Sequence, residues 1–206
     1  MLPPAWRLQV PRPDLGRTRY DIVERDGRNV LHAVADDAAS GLRCEVDVDP
    51  NATPWLQWDW RARTVDARAS VALFELDDAP ARVAVGFEGG LSTLSVREQV
   101  FGDLVYAITG YLMPFATLMY VWDGQAPVGS VFQYGRSSRV RYLVVESGPE
   151  RTDRWLAYRR NVVDDYRRVF GAEPGHVSDV GVMTDSDDLS TLSETWYGDL
   201  SFHAPA

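Results

Sequence analysis

Toward the end of the chain, Val180-Gly181-Val182-Met183-Thr184 runs into Asp185, Asp187 and Asp188, and Asp199 follows inside a second apolar run from Trp196 to Phe202. Hard carboxylate oxygens at this density, with Thr184 and Ser186 adding hydroxyl or carbonyl oxygens, are what calcium takes from a flexible loop. The order Asp-Ser-Asp-Asp also opens like an EF-hand loop, but no Gly stands at its sixth position and no Glu at its twelfth. Two other readings stay open: Asp and Ser between strands make a good turn, and the carboxylates could be catalytic.

A second constellation lies upstream. Asp77 and Asp78 precede Arg82, while Trp122-Asp123 and Glu146 sit in or at the end of hydrophobic runs. An unpaired charge in such a strand is costly, so Arg82, Asp123 and Glu146 must pair, bind a ligand or lie on an open concave face. If Asp123 and Glu146 stood about 5–10 Å apart they could serve as acid and base, or acid and nucleophile, in glycan cleavage. Trp122 would then offer a stacking surface for a sugar. The competing reading is a buried salt bridge from Arg82 to one of the two. Asp77, Asp78, Arg82, Trp122, Asp123 and Glu146 are therefore the candidate ligand-binding residues. Asp123 and Glu146 are the catalytic pair if the protein is an enzyme, and Asp185, Asp187, Asp188 and Asp199 the candidate calcium ligands.

Composition removes several chemistries. All 21 basic residues are Arg, so no Lys amine is present to form a pyridoxal phosphate imine or another Schiff base, or to sit beside phosphates in the usual Gly-rich loop. A net charge of −9 argues against nucleic acid, which needs a concentrated basic surface. Arg136, Arg139 and Arg141 form the densest basic segment and read as a solvated strand edge, with an acidic-ligand subsite as the alternative. Cys44 is the single cysteine, which rules out an intramolecular disulfide and a zinc site built on several cysteines. Neither Gly-x-Ser-x-Gly nor a His pair at metal-ligand spacing occurs. No apolar run reaches the length of a membrane span. The first residues lack the charged and apolar regions of a signal peptide, which leaves the compartment open: cytoplasmic as it stands, periplasmic or secreted if a signal has been trimmed.

The elements that must position these residues read as mostly strands. Residues 1–16 carry four prolines and form an extended lead-in, and 17–206 form one domain. Tyr20 to Glu24 and Val30 to Val34 make a hairpin across Asp26-Gly27. Ser40 to Val48 alternates, placing Leu42, Cys44, Val46 and Val48 on one face, and Leu56, Trp58 and Trp60 share a face of the next strand. Further strands run over Arg82 to Phe87, Leu118 to Trp122, Val140 to Glu146, Trp155 to Arg159 and Val177 to Met183. Helical spacing of Val96, Val100, Leu104, Ala107 or Ile108, and Tyr111 marks an amphipathic helix that ends before Pro114. A second helix, Val162 to Phe170, is capped by Asn161 and stopped by Gly171. Strand runs with helices tucked between them, and no alternating βαβ order, point to a mainly β, antiparallel jelly-roll-like β-sandwich of about ten strands with two inserted helices.

The C-terminal run, read with Tyr120-Val121-Trp122-Asp123, Val144-Val145-Glu146-Ser147-Gly148, Arg160-Asn161-Val162 and Asp165-Tyr166-Arg167, resembles the bacterial family called domain of unknown function 3047. The resemblance spans Tyr20 to Phe202 and implies a fold but no activity. It implies frequent export, and an aromatic where Ala79 stands here. Trp196-Tyr197-Gly198-Asp199-Leu200-Ser201-Phe202 is also similar, less specifically, to the last strand of galactose-binding-like jelly rolls. From these residues three functions follow in order: a carbohydrate or polyhydroxylated small-ligand binding module, a carboxylate-dependent enzyme acting on a glycan or metabolite, and an interaction or scaffold protein. The first needs no cofactor, although a structural calcium fits the acidic turn.

Overall fold

A computed structural model describes residues 2–10 and 12–205. Thirteen strands run in chain order as β1 (Trp6–Gln9), β2 (Arg19–Arg25), β3 (Arg28–Asp36), β4 (Ala39–Val48), β5 (Trp55–Ala62), β6 (Ala81–Phe87), β7 (Ala116–Asp123), β8 (Val131–Gln133), β9 (Val140–Ser147), β10 (Leu156–Asn161), β11 (Val177–Asp185), β12 (Leu192–Tyr197) and β13 (Ser201–His203). Helix α1 (Val96–Thr109) lies between β6 and β7, and α2 (Val162–Phe170) between β10 and β11. The strands form a seven-stranded sheet ordered β1-β4-β11-β6-β7-β9-β8 and a six-stranded sheet in which β10-β5-β12-β3-β2 pair in turn and β13 adds to β5. The molecule is mainly β, a jelly-roll-like sandwich. Short strands at β1 and β8, and the division of the closing run into β12 and β13, raise the number above the expected ten, and β1 places part of the expected lead-in within a sheet. One pairing departs from the antiparallel rule, since β7 and β9 are parallel. A parallel pair needs a long connection, and here the segment from 124 to 139, including β8, supplies it.

Local chemistry explains the clearest elements. The β2–β3 hairpin turns at Asp26 (φ 54°) and Gly27 (φ 77°), the left-handed pair that a two-residue turn demands, with Arg25 opposite Arg28. Asn161 accepts hydrogen bonds from the Val163 and Asp164 amides at the start of α2, and Gly171 (φ 70°) closes it. On β5 the alternation turns Leu56, Trp58, Trp60 and Ala62 inward. Trp58 stacks on Tyr120 at 4.9 Å and Trp60 lies 6.4 Å from Trp122, so aromatic rings from the two sheets meet in the core. Burying an apolar side chain of this kind contributes about 1.5–3 kcal/mol. Cys44 is half-buried and packs against this core.

Helix α1 departs from the sequence expectation. Val96, Val100, Leu104 and Ile108 are exposed, while Phe101 and Val105 pack on the outer face of the seven-stranded sheet. The helix carries two apolar stripes, and its orientation is set by a charge: Glu98, buried, accepts hydrogen bonds from the Ser137 hydroxyl at 2.6 Å and from the Ser138 amide and hydroxyl at 2.7 and 2.9 Å. Arg139 is buried rather than solvated, donating to the Phe115 carbonyl at 3.1 Å and the Met113 carbonyl at 2.9 Å. Arg141 donates to the Val169 carbonyl at 2.6 Å. These two arginines hold backbone carbonyls that a coil segment and a helix end leave without partners. Among the described residues, no helix is long and apolar enough to cross a membrane.

Candidate functional site

Strand alternation divides the seven-stranded sheet between two environments. On β6, Val83 and Val85 point into the sandwich, so Arg82 and Ala84 point out; on β11, Val180 and Val182 point in, so Gly181, Met183 and Asp185 point out. The outer face, with α1 lying against it, encloses a cleft of about 290 Å³. At one end of this cleft stand Arg82, Asp77, Asp185, Asp187, Asp188 and Tyr142.

Arg82 is the hub. One of its terminal nitrogens donates to Asp185 Oδ2, and the other donates to Asp77 Oδ1 at 2.8 Å. Asp77 Oδ2 accepts from the Tyr142 hydroxyl at 2.7 Å, and Asp185 Oδ1 accepts from the Ala79 amide at 3.0 Å. Asp78, fully enclosed behind them, accepts from the Asp188 amide at 3.1 Å and the Leu189 amide at 2.7 Å. The turn before β6 and the turn after β11 are thereby stapled to each other. Tyr197 supports the cluster from the opposite sheet, donating to the Met183 carbonyl at 2.7 Å and lying 2.8 Å from Thr184 Oγ1.

Burial sets the electrostatics. Loss of solvent pushes the Asp77 carboxyl up to about 6, against the pull of Arg82 and Tyr142, and Asp188 and Asp78 push it the same way. Burial likewise pushes Asp185, Asp187 and Asp188 above the ordinary carboxylate range. Burial works against the Arg82 charge as well, but Asp185 and Asp77 outweigh it and hold the guanidinium protonated. One cation and several carboxylates thus share a partly dry site, in which each charge depends on the others.

The other named residues lie elsewhere. Asp123 is buried and takes the Val71 amide at 2.8 Å on one oxygen and the Gln125 and Ala126 amides at 2.8 and 2.6 Å on the other, so it ties two loops together. Glu146 accepts from Arg151 at 2.7 Å and the Tyr158 hydroxyl at 2.8 Å. Neither lines the cleft, and neither pairs with Arg82. Trp122 is fully buried with its Nε1 donating to the Gly148 carbonyl at 2.9 Å, which leaves no face for a ligand. Asp199 sits in the exposed turn between β12 and β13, beside Arg28 and apart from the acidic turn after β11. Asp78 takes its place: oxygens of Asp78, Asp185 and Asp187 all lie within 4.8 Å of one another.

Tyr142, Tyr134 and Phe74 of the cleft carry no signal in the linear motifs, whereas Arg136 belongs to the basic segment noted in the sequence. Tyr142 and Tyr134 approach at 6.4 Å, Phe74 lies 6.2 Å from Tyr134, and Arg136 sits over the Phe74 ring at 5.0 Å. At the far end, Arg43 stacks over Tyr111 at 4.4 Å and reaches Asp179 at 3.4 Å, and these three residues also border a second pocket lined by Pro114 and His176. The phase of β6 and β11 could have found the outward residues, because a charge at Arg82 or Asp185 marks which alternate positions face away from the core.

A jelly-roll-like β-sandwich with a polar-ended cleft on one outer face is the class defined by this fold and site. The chain belongs to the family described as protein of unknown function (DUF3047), which matches residues 5–201. Its fold is also similar to the xyloglucanase domain of NopAA, a type three effector from Sinorhizobium fredii solved in complex with cellobiose, at TM-score 0.51 and 11% identity, covering 97% of this chain and 93% of that one. A family 30 carbohydrate-binding module of the cellulosomal cellulase Cel9D-Cel44B of Clostridium thermocellum gives TM-score 0.43 and 12% identity over 97% and 91% of the two chains. At these identities the likeness concerns the fold alone. No curated protein matches the chain.

Proposed function

We propose that the protein is a binding module for a carbohydrate or another polyhydroxylated small molecule, held at the Arg82 end of the outer cleft. The observation that carries this reading is the convergence of Asp187, Asp188, Tyr134 and Phe74 around one opening, backed by the largely buried cluster of Arg82, Asp77, Asp185 and Tyr142. Carboxylates accept from hydroxyl groups and a guanidinium donates to them, while aromatic rings offer apolar faces to the C–H side of a sugar ring. The cellobiose bound by the NopAA domain is a ligand of this chemical kind on a sandwich of similar fold, although fold by itself leaves function open. This reading calls for no cofactor: Arg82 pairs with Asp185, and the Asp188 and Leu189 amides donate to Asp78.

A carboxylate-dependent enzyme is the second reading, and one observation favours it: Asp77, lifted to about 6, is poised to hold or give a proton near neutral pH inside the cleft. One experiment separates the two. A panel of oligosaccharides is screened by thermal shift, with every mixture also assayed for new reducing ends. A ligand at a hundred times its Kd raises Tm by roughly 5–10 °C in a chain of this size. Such a rise without product supports binding, and product formation supports the enzyme. A panel that produces neither result overturns both readings.

A further inference from the structure

The middle of the cleft has a different chemistry from its end. The chain has four methionines, and the three beyond Met1 all line this one space: Met113 precedes β7, Met119 projects from β7 and Met183 from β11. Phe101 and Val105 of α1 close over them, and Ala84 and Gly181 form the floor. Gly181 keeps that floor bare, since a Cβ there would come within 2.8 Å of the Leu42 carbonyl oxygen. Unbranched thioether side chains adapt their shape to an apolar guest. A sugar alone would leave this stretch holding poorly bonded water against an apolar wall.

We propose that the ligand is amphiphilic: a hydroxylated head at the Arg82 carboxylate cluster and an unbranched apolar chain running under α1 along Met119 and Met183 toward Arg43 and Tyr111. The larger polar cluster sets the direction, because Asp77, Asp187 and Asp188 join Arg82 and Asp185 at one end while the other end has a single ion pair. Charged groups stand at its two ends, Arg82 with Asp185 at one and Arg43 with Asp179 at the other, and Gly181 and Met183 lie between them on the same strand. Asp179 and Asp185 are six residues apart on β11, a span of roughly 20 Å, which gives room for a chain of several methylenes beside a sugar-sized head. The head rests on the function proposed above; the tail does not.

The test is a series of alkyl glucosides from methyl to octyl, each held below its micelle concentration and titrated calorimetrically into the full chain. Burial of the tail predicts an affinity gain of roughly fourfold per methylene over the first several carbons. Equal affinity for methyl and octyl glucoside would overturn the inference while leaving the sugar reading standing. Octanol binding as tightly as octyl glucoside would keep the apolar slot and sink the hydroxylated head, and with it the proposed function. No binding by any member would overturn both. Val105→Asp, on the half-buried inner stripe of α1, should weaken octyl glucoside at least tenfold and leave methyl glucoside unchanged. Leu104→Asp, on the exposed stripe of the same helix, should change neither. Equal loss in the two variants would point to a disturbed helix and remove the support that Val105 lends to the slot.

Discussion

Arg82 on β6 and Asp185 on β11 are paired in the cleft across a sequence separation of 103 residues, both almost free of solvent. Removing one partner of a buried pair strands the other charge, which costs about 3–5 kcal/mol. Arg82→Met should therefore lower stability by that order, and the double variant Arg82→Met with Asp185→Leu should recover a large part of it. Urea unfolding of the two variants checks this. A single variant as stable as the wild type would show that the pair contributes nothing.

Asp77 gives the molecule a pH dependence of unusual sign for an acid. Its carboxyl is lifted from 3.8 to about 6 in the folded chain, chiefly by burial, so between these values the native state holds a proton that the unfolded state has released. Stability from this group is complete below about pH 4 and is lost as pH rises through 6, by on the order of 3 kcal/mol. Asp77→Asn removes that dependence. The stability of wild type relative to the variant should fall steadily from pH 4 to pH 6.5. Parallel curves over this range would show that Asp77 titrates normally.

Much of this architecture was legible because its signals are local. Asp26-Gly27, Asn161 and Gly171 act on neighbours within a few residues, and β5 shows its buried face by simple alternation. The Arg82 partner was not legible. Hydrophobic pattern marks Arg82, Asp123 and Glu146 alike as charges in strands, and only the register of β6 against β11, with Met183 opposite Arg82, brings Asp185 rather than Asp123 to the guanidinium. Helix α1 misled for a different reason. Val96, Val100, Leu104 and Ile108 form one apolar stripe and Phe101 and Val105 another, and periodicity cannot choose between two stripes on one helix. Glu98, which decides the matter, finds its partners some 40 residues away.

Those Glu98 contacts clasp α1 to the turn at Ser137 and Ser138. Burial alone would raise this carboxyl, but hydrogen bonds from Ser137 and Ser138 hold it below its ordinary value, so the clasp is complete above about pH 4.5 and loosens as pH falls below it. Glu98→Ala leaves the Ser137 hydroxyl and the Ser138 amide without their acceptor and should cost about 1–3 kcal/mol. Amide exchange across Val96–Thr109 should accelerate far more than exchange in β6 or β11. Uniform acceleration would mean that the clasp supports the whole sandwich rather than the helix.

The acidic turn can be tested for calcium directly. Asp78 has both oxygens on amides and Asp185 is bonded to Arg82, so of the three clustered carboxylates Asp187 has the most charge to offer an ion. Millimolar calcium, or its removal with a chelator, should shift Tm by less than about 2 °C, since a weak site adds little mass-action stability. A shift of several degrees, abolished by Asp187→Asn, would establish a structural ion.

The two outermost strands of the seven-stranded sheet are short, four residues in β1 and three in β8, and at the borders of the other sheet β2 carries Arg19, Asp21, Glu24 and Arg25 and β10 carries Arg159 and Arg160. Such borders offer a poor template for another chain to join by backbone pairing. Aggregation at high concentration is therefore directed away from fibril-like growth and toward the exposed Val96, Val100, Leu104 and Ile108 of α1. A polar substitution at two of these positions would be the economical route to a more soluble protein.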